Sequence, residues 1–211
     1  MRNRTEDKIE LLLIRHGATA SNQEHRYLGR TEEGISADGR AGLQKRKEGG
    51  YYPPADCLFS SPMKRCVETA QLLYPAQRAV LIPEWTEIDF GSFEGKTYQE
   101  LQGDRRYQEW IDSGGRLPFP EGESREDFIA RSVRGLCRLE GILAGEESRQ
   151  SGRALAAAAV VHGGTIMALL SHFCGGEYFS YQVRNGEGYR VCLEESREGI
   201  RITEAERIKG E

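Results

Sequence analysis

The sequence lacks an excess of positive charge and any long apolar run. Its 211 residues carry 29 Lys and Arg against 33 Asp and Glu, a net charge of −4. This balance provides no general basic field for nucleic acid, so an anionic ligand has to be held by a local cluster of cations. No apolar run approaches the roughly 20 residues of a membrane span, and the charged residues 1–8 are not typical of a signal peptide. We therefore expect neither nucleic-acid nor membrane partners.

The cysteines lack any spacing that suggests a shared role. There are five, an odd number, and they are scattered without a C-x-x-C arrangement. That pattern argues against a disulfide framework and against a zinc site. Reduced thiols fit the cytoplasm, and we expect a cytoplasmic location.

Short apolar runs alternate with segments of helical character along the chain. Residues 9–14 are a nearly continuous apolar run, which is typical of a strand covered on both faces. The predicted strands are 9–14, 57–60, 79–82 and 153–161, followed by an alternating pair at 188–193 and 200–206. The predicted helices are 36–47, 61–74, 97–110, 124–143 and 165–173. This order predicts a three-layer α/β/α fold with a mainly parallel sheet and an antiparallel edge, which we expect to form a single domain over residues 1–211.

Capping residues support two of the predicted helix starts. Ser61 followed by Pro62 is typical of an N-cap and a first helical position. Thr97 and Glu100 have the spacing of a capping box, which favours a helix from there to about Trp110.

Reactive and anion-binding residues follow the predicted parallel strands. They are Arg15 and His16 after the first strand, Arg65 after the second, Glu84, Glu87 and Asp89 after the third, and His162 after the fourth. Because ligands of open α/β sheets bind beyond the carboxyl ends of the strands, we expect these groups to converge. Arginine forks match phosphate oxygens, and repulsion from Arg15 is expected to keep His16 neutral and nucleophilic. With a carboxylic acid to protonate the leaving oxygen, the set suits phosphoryl transfer.

Four segments carry these residues. They are LIRHGAT at 13–19, SSPMKRCVETA at 60–70, EIDFGSFEG at 87–95 and VHGG at 161–164. In this order they resemble the signature segments of the histidine phosphatase superfamily, also called phosphoglycerate mutase-like. The resemblance spans about residues 11–170 and implies a phosphoglycerate mutase-like fold, with a cap of helices and loops at about 83–122.

The resemblance also implies roles for individual residues. His16 becomes transiently phosphorylated, and Glu87 donates a proton to the leaving alcohol and then assists the attacking water. Glu87 is chosen because the family places its carboxylate four residues before the glycine that is Gly91 here. The residues implied in holding the phosphoryl group are Arg15, His16, Asn22, Arg65, His162 and the backbone of Gly163. No metal or organic cofactor is implied.

Hydrolases and mutases of the family share the same phosphohistidine, so the resemblance leaves the activity open. The chain is shorter than the mutases that it resembles, and residues 107–124 are more similar to the small phosphatases, which include the α-ribazole phosphatases. Ala18 also stands where mutases have a glutamate. We favour hydrolysis of a small phosphorylated metabolite, with α-ribazole phosphate among the candidates. A phosphoglycerate mutase is the alternative, a non-catalytic phosphate-binding module is a third hypothesis, and a monomer and a homodimer both fit the sequence.

Overall fold

The computed structural model describes residues 9–145, 155–196 and 199–208, along which strands and helices alternate. The strands are β1 (Ile9–Arg15), β2 (Cys57–Ser60), β3 (Val80–Leu81), β4 (Leu155–Val161), β5 (Gly188–Ser196) and β6 (Gly199–Arg207). The α-helices are α1 (Ala20–Gln23), α2 (Ala37–Glu48), α3 (Lys64–Leu73), α4 (Arg105–Asp112), α5 (Arg125–Gly145) and α6 (Gly163–Cys174). Each predicted strand is confirmed, although residues 153 and 154 of the fourth lie outside the described residues.

The described strands form one sheet in the order β3-β2-β4-β1-β5-β6. β1 and β2 each pair in parallel with β4, and β3 pairs in parallel with β2. β5 runs antiparallel to β1, and β6 runs antiparallel to β5. The prediction of an α/β fold with a mainly parallel sheet and an antiparallel edge is therefore confirmed.

Helices cover both faces of this sheet, as the side chains of β1 show. Leu11 and Leu13 pack in one core with leucines of α5 and α6. Leu12 and Ile14 point to the other face and pack with leucines of α2 and α3. Because both faces are covered, the strand is apolar at successive positions instead of alternating with polar residues. Each fully buried leucine contributes about 2 kcal/mol of hydrophobic stabilisation.

The predicted helix 97–110 is wrong over its first half. Thr97 and Glu100 do make both capping-box hydrogen bonds, with nitrogen–oxygen distances of 2.8 and 3.2 Å. They close a turn, however, and the chain then passes through Gly103 at a φ of +88°. Helix α4 begins only at Arg105, with Asp104 as its N-cap. The local hydrogen bonds were correctly predicted, but they do not propagate into a helix.

Ser61 does not cap the following helix as predicted. Helix α3 begins at Lys64 with Met63 in the N-cap position. The hydroxyl of Ser61 lies instead 2.8 Å from Nε2 of His162. The tertiary contact is the shorter one, since the amide of Met63 donates to the same oxygen at 3.4 Å.

The segment 83–122 consists of 3-10 turns at Pro83–Trp85 and Gly91–Phe93, helix α4 and loops. An aromatic cluster holds it against α5 and α6, with the rings of Trp110 and Phe119 stacked at 4.9 Å. Its turn at Gly91 requires glycine, because φ is +53° and a Cβ would collide with the backbone of residues 120–122. Among the described parts of the chain, no helix combines the length and apolar character of a membrane span.

Candidate active site

The strand order brings five of the predicted site residues together. They are Arg15, His16, Arg65, Glu87 and His162. Arg15 pairs in register with Val161, so the carboxyl ends of β1 and β4 lie side by side. The imidazole rings of His16 and His162 are 5.2 Å apart between centroids, and Nδ1 of His162 lies 4.0 Å from Oε2 of Glu87. The predicted convergence at this edge of the sheet is therefore present.

His16 is buried and its tautomer is fixed by the backbone. Its Nδ1 lies 2.8 Å from the carbonyl oxygen of Gly17. Because a carbonyl only accepts, Nδ1 carries the proton and donates, which leaves the lone pair on Nε2. Burial, followed by the charges of Arg65 and Arg15, lowers the pKa of His16 well below its usual value. The direction agrees with the sequence argument, but burial rather than Arg15 is the main cause.

His162 is also buried and neutral. It follows β4 directly and occupies the N-cap position of α6. Nε of Arg65 donates to its Nδ1 at 3.3 Å, so Nε2 carries the proton and donates to the hydroxyl oxygen of Ser61 at 2.8 Å. Burial, followed by the charge of Arg65, lowers the pKa of His162 well below its usual value. The pair of rings thus adds no positive charge to the site near neutral pH.

Two arginines supply the positive charge. Arg65 is completely buried, and its guanidinium donates to the carbonyl oxygens of Gly29 and Thr31 at 2.7 and 3.0 Å. Arg15 donates through Nη1 to the carbonyl of Val183 at 2.7 Å. Its Nε is buried and has no hydrogen-bond partner among the described residues. Backbone carbonyls therefore orient both guanidinium groups without cancelling their charge.

Glu87 is a buried carboxyl behind this cluster. Its Oε1 accepts a hydrogen bond from the amide of Ile88 at 2.9 Å. Burial raises its pKa, although that hydrogen bond and the nearby arginines act in the opposite direction. A carboxyl with a raised pKa is suited to donate a proton. The other two acids after β3 have different partners, since Glu84 accepts from Arg138 and Asp89 from the amide of Gly91.

Asn22 and Gly163 border the cluster, as predicted. Asn22 forms a reciprocal capping box with Thr19 at the start of α1. Gly163 is the first residue of α6, and a Cβ there would lie 3.3 Å from Nε of Arg15. A side chain at Gly163 would therefore crowd the arginine that ends β1.

Sequence reasoning missed three supporting residues. Nδ2 of Asn185 donates to the carbonyl of His16 at 3.1 Å and to Oδ1 of Asn22 at 3.0 Å. Arg131 holds the backbone of the acid segment through the carbonyls of residues 84, 86 and 87, and its guanidinium also pairs with Glu123. Ser61 was misassigned as a cap. Each acts on a residue distant in sequence, and no local pattern signals such a contact.

Two cavities open beside the cluster. The smaller, of about 320 Å³, is bounded by Glu87, Arg15 and the glycines at the start of α6. The larger, of about 610 Å³, shares Arg15 and Asn22 with it and extends toward Arg184 and Arg207. Within residues 9–145, 155–196 and 199–208, no three His, Cys, Asp or Glu side chains cluster as metal ligands. The cavities thus reach the cluster at Arg15 and Glu87, whereas His16, Arg65 and His162 are buried and absent from both linings.

The sheet order thus places two histidines and two arginines at one carboxyl edge. The family model of the histidine phosphatase superfamily (branch 1) matches residues 11–204. The chain belongs to the histidine phosphatase superfamily.

Curated relatives include phosphatases. The chain is 28% identical over 169 residues to the uncharacterized phosphatase PhoE of Bacillus subtilis, an alignment that covers 78% of this chain and 77% of that protein. It is 32% identical over 142 residues to a bifunctional protein of Mycobacterium tuberculosis, covering 61% of this chain. The chain spans only 36% of the length of that mycobacterial relative.

Solved structures share the fold. A phosphoglycerate mutase from Thermus thermophilus is 30% identical, with a TM-score of 0.67 and coverage of 95% of this chain and 99% of that one. The α-ribazole phosphatase from Shigella flexneri has a TM-score of 0.75 at 22% identity, covering 96% of each chain. The second likeness concerns the fold alone.

Proposed function

We propose that the protein is a phosphomonoester hydrolase that acts through a phosphohistidine at Nε2 of His16. One observation carries the proposal. A buried, neutral histidine whose proton is committed to a backbone carbonyl lies among two arginines and a carboxyl with a raised pKa. That combination supplies a nucleophile, a binding charge for phosphate and a proton donor.

The reaction has two steps. First, Nε2 of His16 bonds to phosphorus while the bond from phosphorus to the alcohol oxygen breaks, and Glu87 gives its proton to that oxygen. Then water attacks the phosphohistidine, the bond between nitrogen and phosphorus breaks, and the carboxylate of Glu87 takes a proton from the water. Inorganic phosphate leaves, and both side chains return to their starting forms.

The phosphoryl oxygens are held by charge and by backbone. Arg65 and Arg15 face them with fixed guanidinium groups, and the unpartnered Nε of Arg15 gains an acceptor. His162 and Asn22 add polar contacts, and the backbone at Gly163 contributes the N–H groups of a helix start. Because two arginines supply the positive charge, the proposed mechanism calls for no metal ion.

The proposed substrate is a small phosphorylated metabolite. The shared fold with an α-ribazole phosphatase keeps α-ribazole phosphate among the candidates. The alternative is phosphoglycerate mutase activity with the same phosphohistidine, favoured by the likeness to the Thermus protein. We further propose a cytoplasmic location, which the free thiols of Cys66, Cys137 and Cys174 support.

Hydrolysis of p-nitrophenyl phosphate in the presence of EDTA tests the activity. We expect turnover by the wild type, loss of turnover in His16→Ala, and retention in His172→Ala, which changes an exposed histidine. A quench in alkaline denaturant during turnover should trap, in the wild type, a phosphoprotein that survives alkali and loses its phosphate in acid. Full turnover by His16→Ala would refute the mechanism. Rapid isomerisation of 3-phosphoglycerate that depends on 2,3-bisphosphoglycerate would favour the mutase instead.

A further inference from the structure

Six aromatic side chains line the smaller cavity beside the cluster. Its aromatic residues are Tyr27, Phe90, Trp110, Phe119, Tyr178 and Phe179. They come from the loop after α1, from the segment 83–122 and from the turn after α6. A volume of about 320 Å³ with six rings along its walls suits a flat ring that is largely removed from water.

The position of Glu87 decides which cavity receives the leaving alcohol. Glu87 lines the smaller cavity and is absent from the lining of the larger one. A proton donor has to lie within hydrogen-bond reach of the oxygen that it protonates, so the alcohol departs into the smaller cavity. The phenol of Tyr178, which lines the same cavity, is uncharged, and burial is the largest cause that raises its pKa.

The first cation on this wall is Arg26, and carboxylates already engage it. Its Nε donates to Glu24 at 2.7 Å, and its Nη1 donates to Glu100 at 2.9 Å and to the carbonyl of Gly95 at 2.7 Å. Two acids therefore already offset the charge of Arg26 on this wall.

The second cation is Arg125, which also has partners within the cavity wall. Its Nη2 donates to the carbonyl of Gly114 at 2.8 Å. Its guanidinium carbon lies 4.8 Å from the ring centre of Tyr178 and 5.2 Å from that of Phe179. The arginine thus joins two parts of the wall through cation–π contacts, and it extends the flat lining of the cavity.

We infer that the substrate is the phosphate ester of an alcohol bearing an uncharged aromatic ring, and that this ring occupies the cavity beside Glu87. The inference rests on the proposed hydrolase activity and adds the class of the leaving group. For esters whose alcohol lacks a ring, such as 3-phosphoglycerate, we expect a lower kcat/KM because they bury no aromatic surface in this cavity.

The kinetic test compares phenethyl phosphate with ethyl phosphate. Both are esters of primary alcohols of similar basicity, so the ratio of their kcat/KM values measures the contribution of the ring rather than of the leaving group. We expect phenethyl phosphate to be favoured about 100-fold, from burial of the ring. A ratio below about 3-fold, or a higher kcat/KM for 3-phosphoglycerate than for phenethyl phosphate, would overturn the inference.

A substitution at Phe179 tests the aromatic wall. Because this side chain is 50% exposed, its removal should spare the fold. We expect Phe179→Ala to lower the preference for phenethyl phosphate about tenfold. The matched control is Ile111→Ala on the outer surface of α4, where Ile111 is 45% exposed and outside the cavity wall. An unchanged preference in Phe179→Ala, or an equal loss in Ile111→Ala, would contradict the inference.

Binding of phosphonates, which cannot be hydrolysed, separates this inference from the proposed function. Calorimetry with phenethylphosphonate and ethylphosphonate should show tighter binding of the first by about 30-fold. If neither ester is hydrolysed but this difference is found, the hydrolase proposal is wrong and the aromatic site stands. If both esters are hydrolysed at equal efficiency and both phosphonates bind equally, the hydrolase stands and the aromatic site is wrong.

Discussion

Replacing His16 by glutamine is expected to make the protein less sensitive to unfolding by mild acid. The folded state lowers the pKa of His16 well below its usual 6.5, mainly through burial. As the pH falls, the unfolded chain therefore binds a proton at this residue before the folded protein does. Neutral His16 therefore contributes its full stabilisation above the unfolded pKa, and this stabilisation is lost as the pH falls toward the lowered pKa of the folded state.

Linkage gives the size of the effect. Between about pH 7.5 and about pH 5.5, one histidine with an unfolded pKa of about 6.5 and a much lower folded pKa costs about 1.4 kcal/mol of unfolding free energy. His162 is shifted in the same direction, so the pair accounts for about 2.7 kcal/mol. Glu87 has the opposite effect on the free energy of unfolding. Because its pKa is raised from the usual 4.5, the folded protein binds a proton at Glu87 before the unfolded chain does as the pH falls. That opposing contribution is common to wild type and variant and cancels from their difference.

The assay is urea unfolding at these two pH values, followed by the fluorescence of the buried Trp85 and Trp110. The acid-induced loss of unfolding free energy should be smaller in His16→Gln than in wild type by about 1.4 kcal/mol. His162→Gln should show a reduction of similar size. The reasoning is refuted if both variants lose as much stability as the wild type between the two pH values.

Two substitutions test the support of the site. Ser61→Ala removes the hydroxyl to which the ring N–H of His162 donates and leaves that N–H with the weaker acceptor Sγ of Cys66 at 3.5 Å, a cost of about 1–3 kcal/mol, and should lower kcat/KM about 10- to 100-fold. Ser60→Ala is the control, since Ser60 is equally buried and its hydroxyl donates to the carbonyl of Ser61, with no bond to His162 among the described residues. An equal loss there would contradict the role of Ser61. Arg65→Lys keeps the charge but loses the planar fork that reaches two carbonyls and His162, and should lower kcat/KM about 100-fold. Arg105→Lys on the exposed face of α4 is the control, and wild-type kinetics in Arg65→Lys would refute a role for the fork.

The fold and the main residues of the candidate site could be predicted because both depend on short-range patterns. The apolar run of β1 identifies a covered strand, and the rule that ligands bind at carboxyl ends of parallel strands places His16 and His162 together. The signature segments added Glu87, which periodicity alone does not single out from Glu84 and Asp89.

The remaining features depend on contacts between distant parts of the chain. Ser61 has the sequence context of a helix cap, yet its hydroxyl bonds to His162, which follows β4 and caps α6. Asn185 follows the turn after α6 and reaches back to the carbonyl of His16. Thr97 and Glu100 form their capping box, but the glycine at 103 turns the chain before a helix develops. Local sequence rules identify which side chains can donate or accept a hydrogen bond. They do not identify the distant group that becomes the partner.

Burial sets the protonation states of the titratable groups in the site. It is the largest cause of the pKa shifts of His16, His162 and Glu87, and it favours the uncharged form of each. The histidines are thereby kept as bases and the carboxyl as an acid, so the net charge of the cluster comes from Arg15 and Arg65. Two positive charges balance the dianion of a phosphate monoester, whereas a phosphodiester monoanion would leave one buried arginine uncompensated. The charge balance of the folded site therefore supports monoesters over diesters as the substrates of the proposed hydrolase.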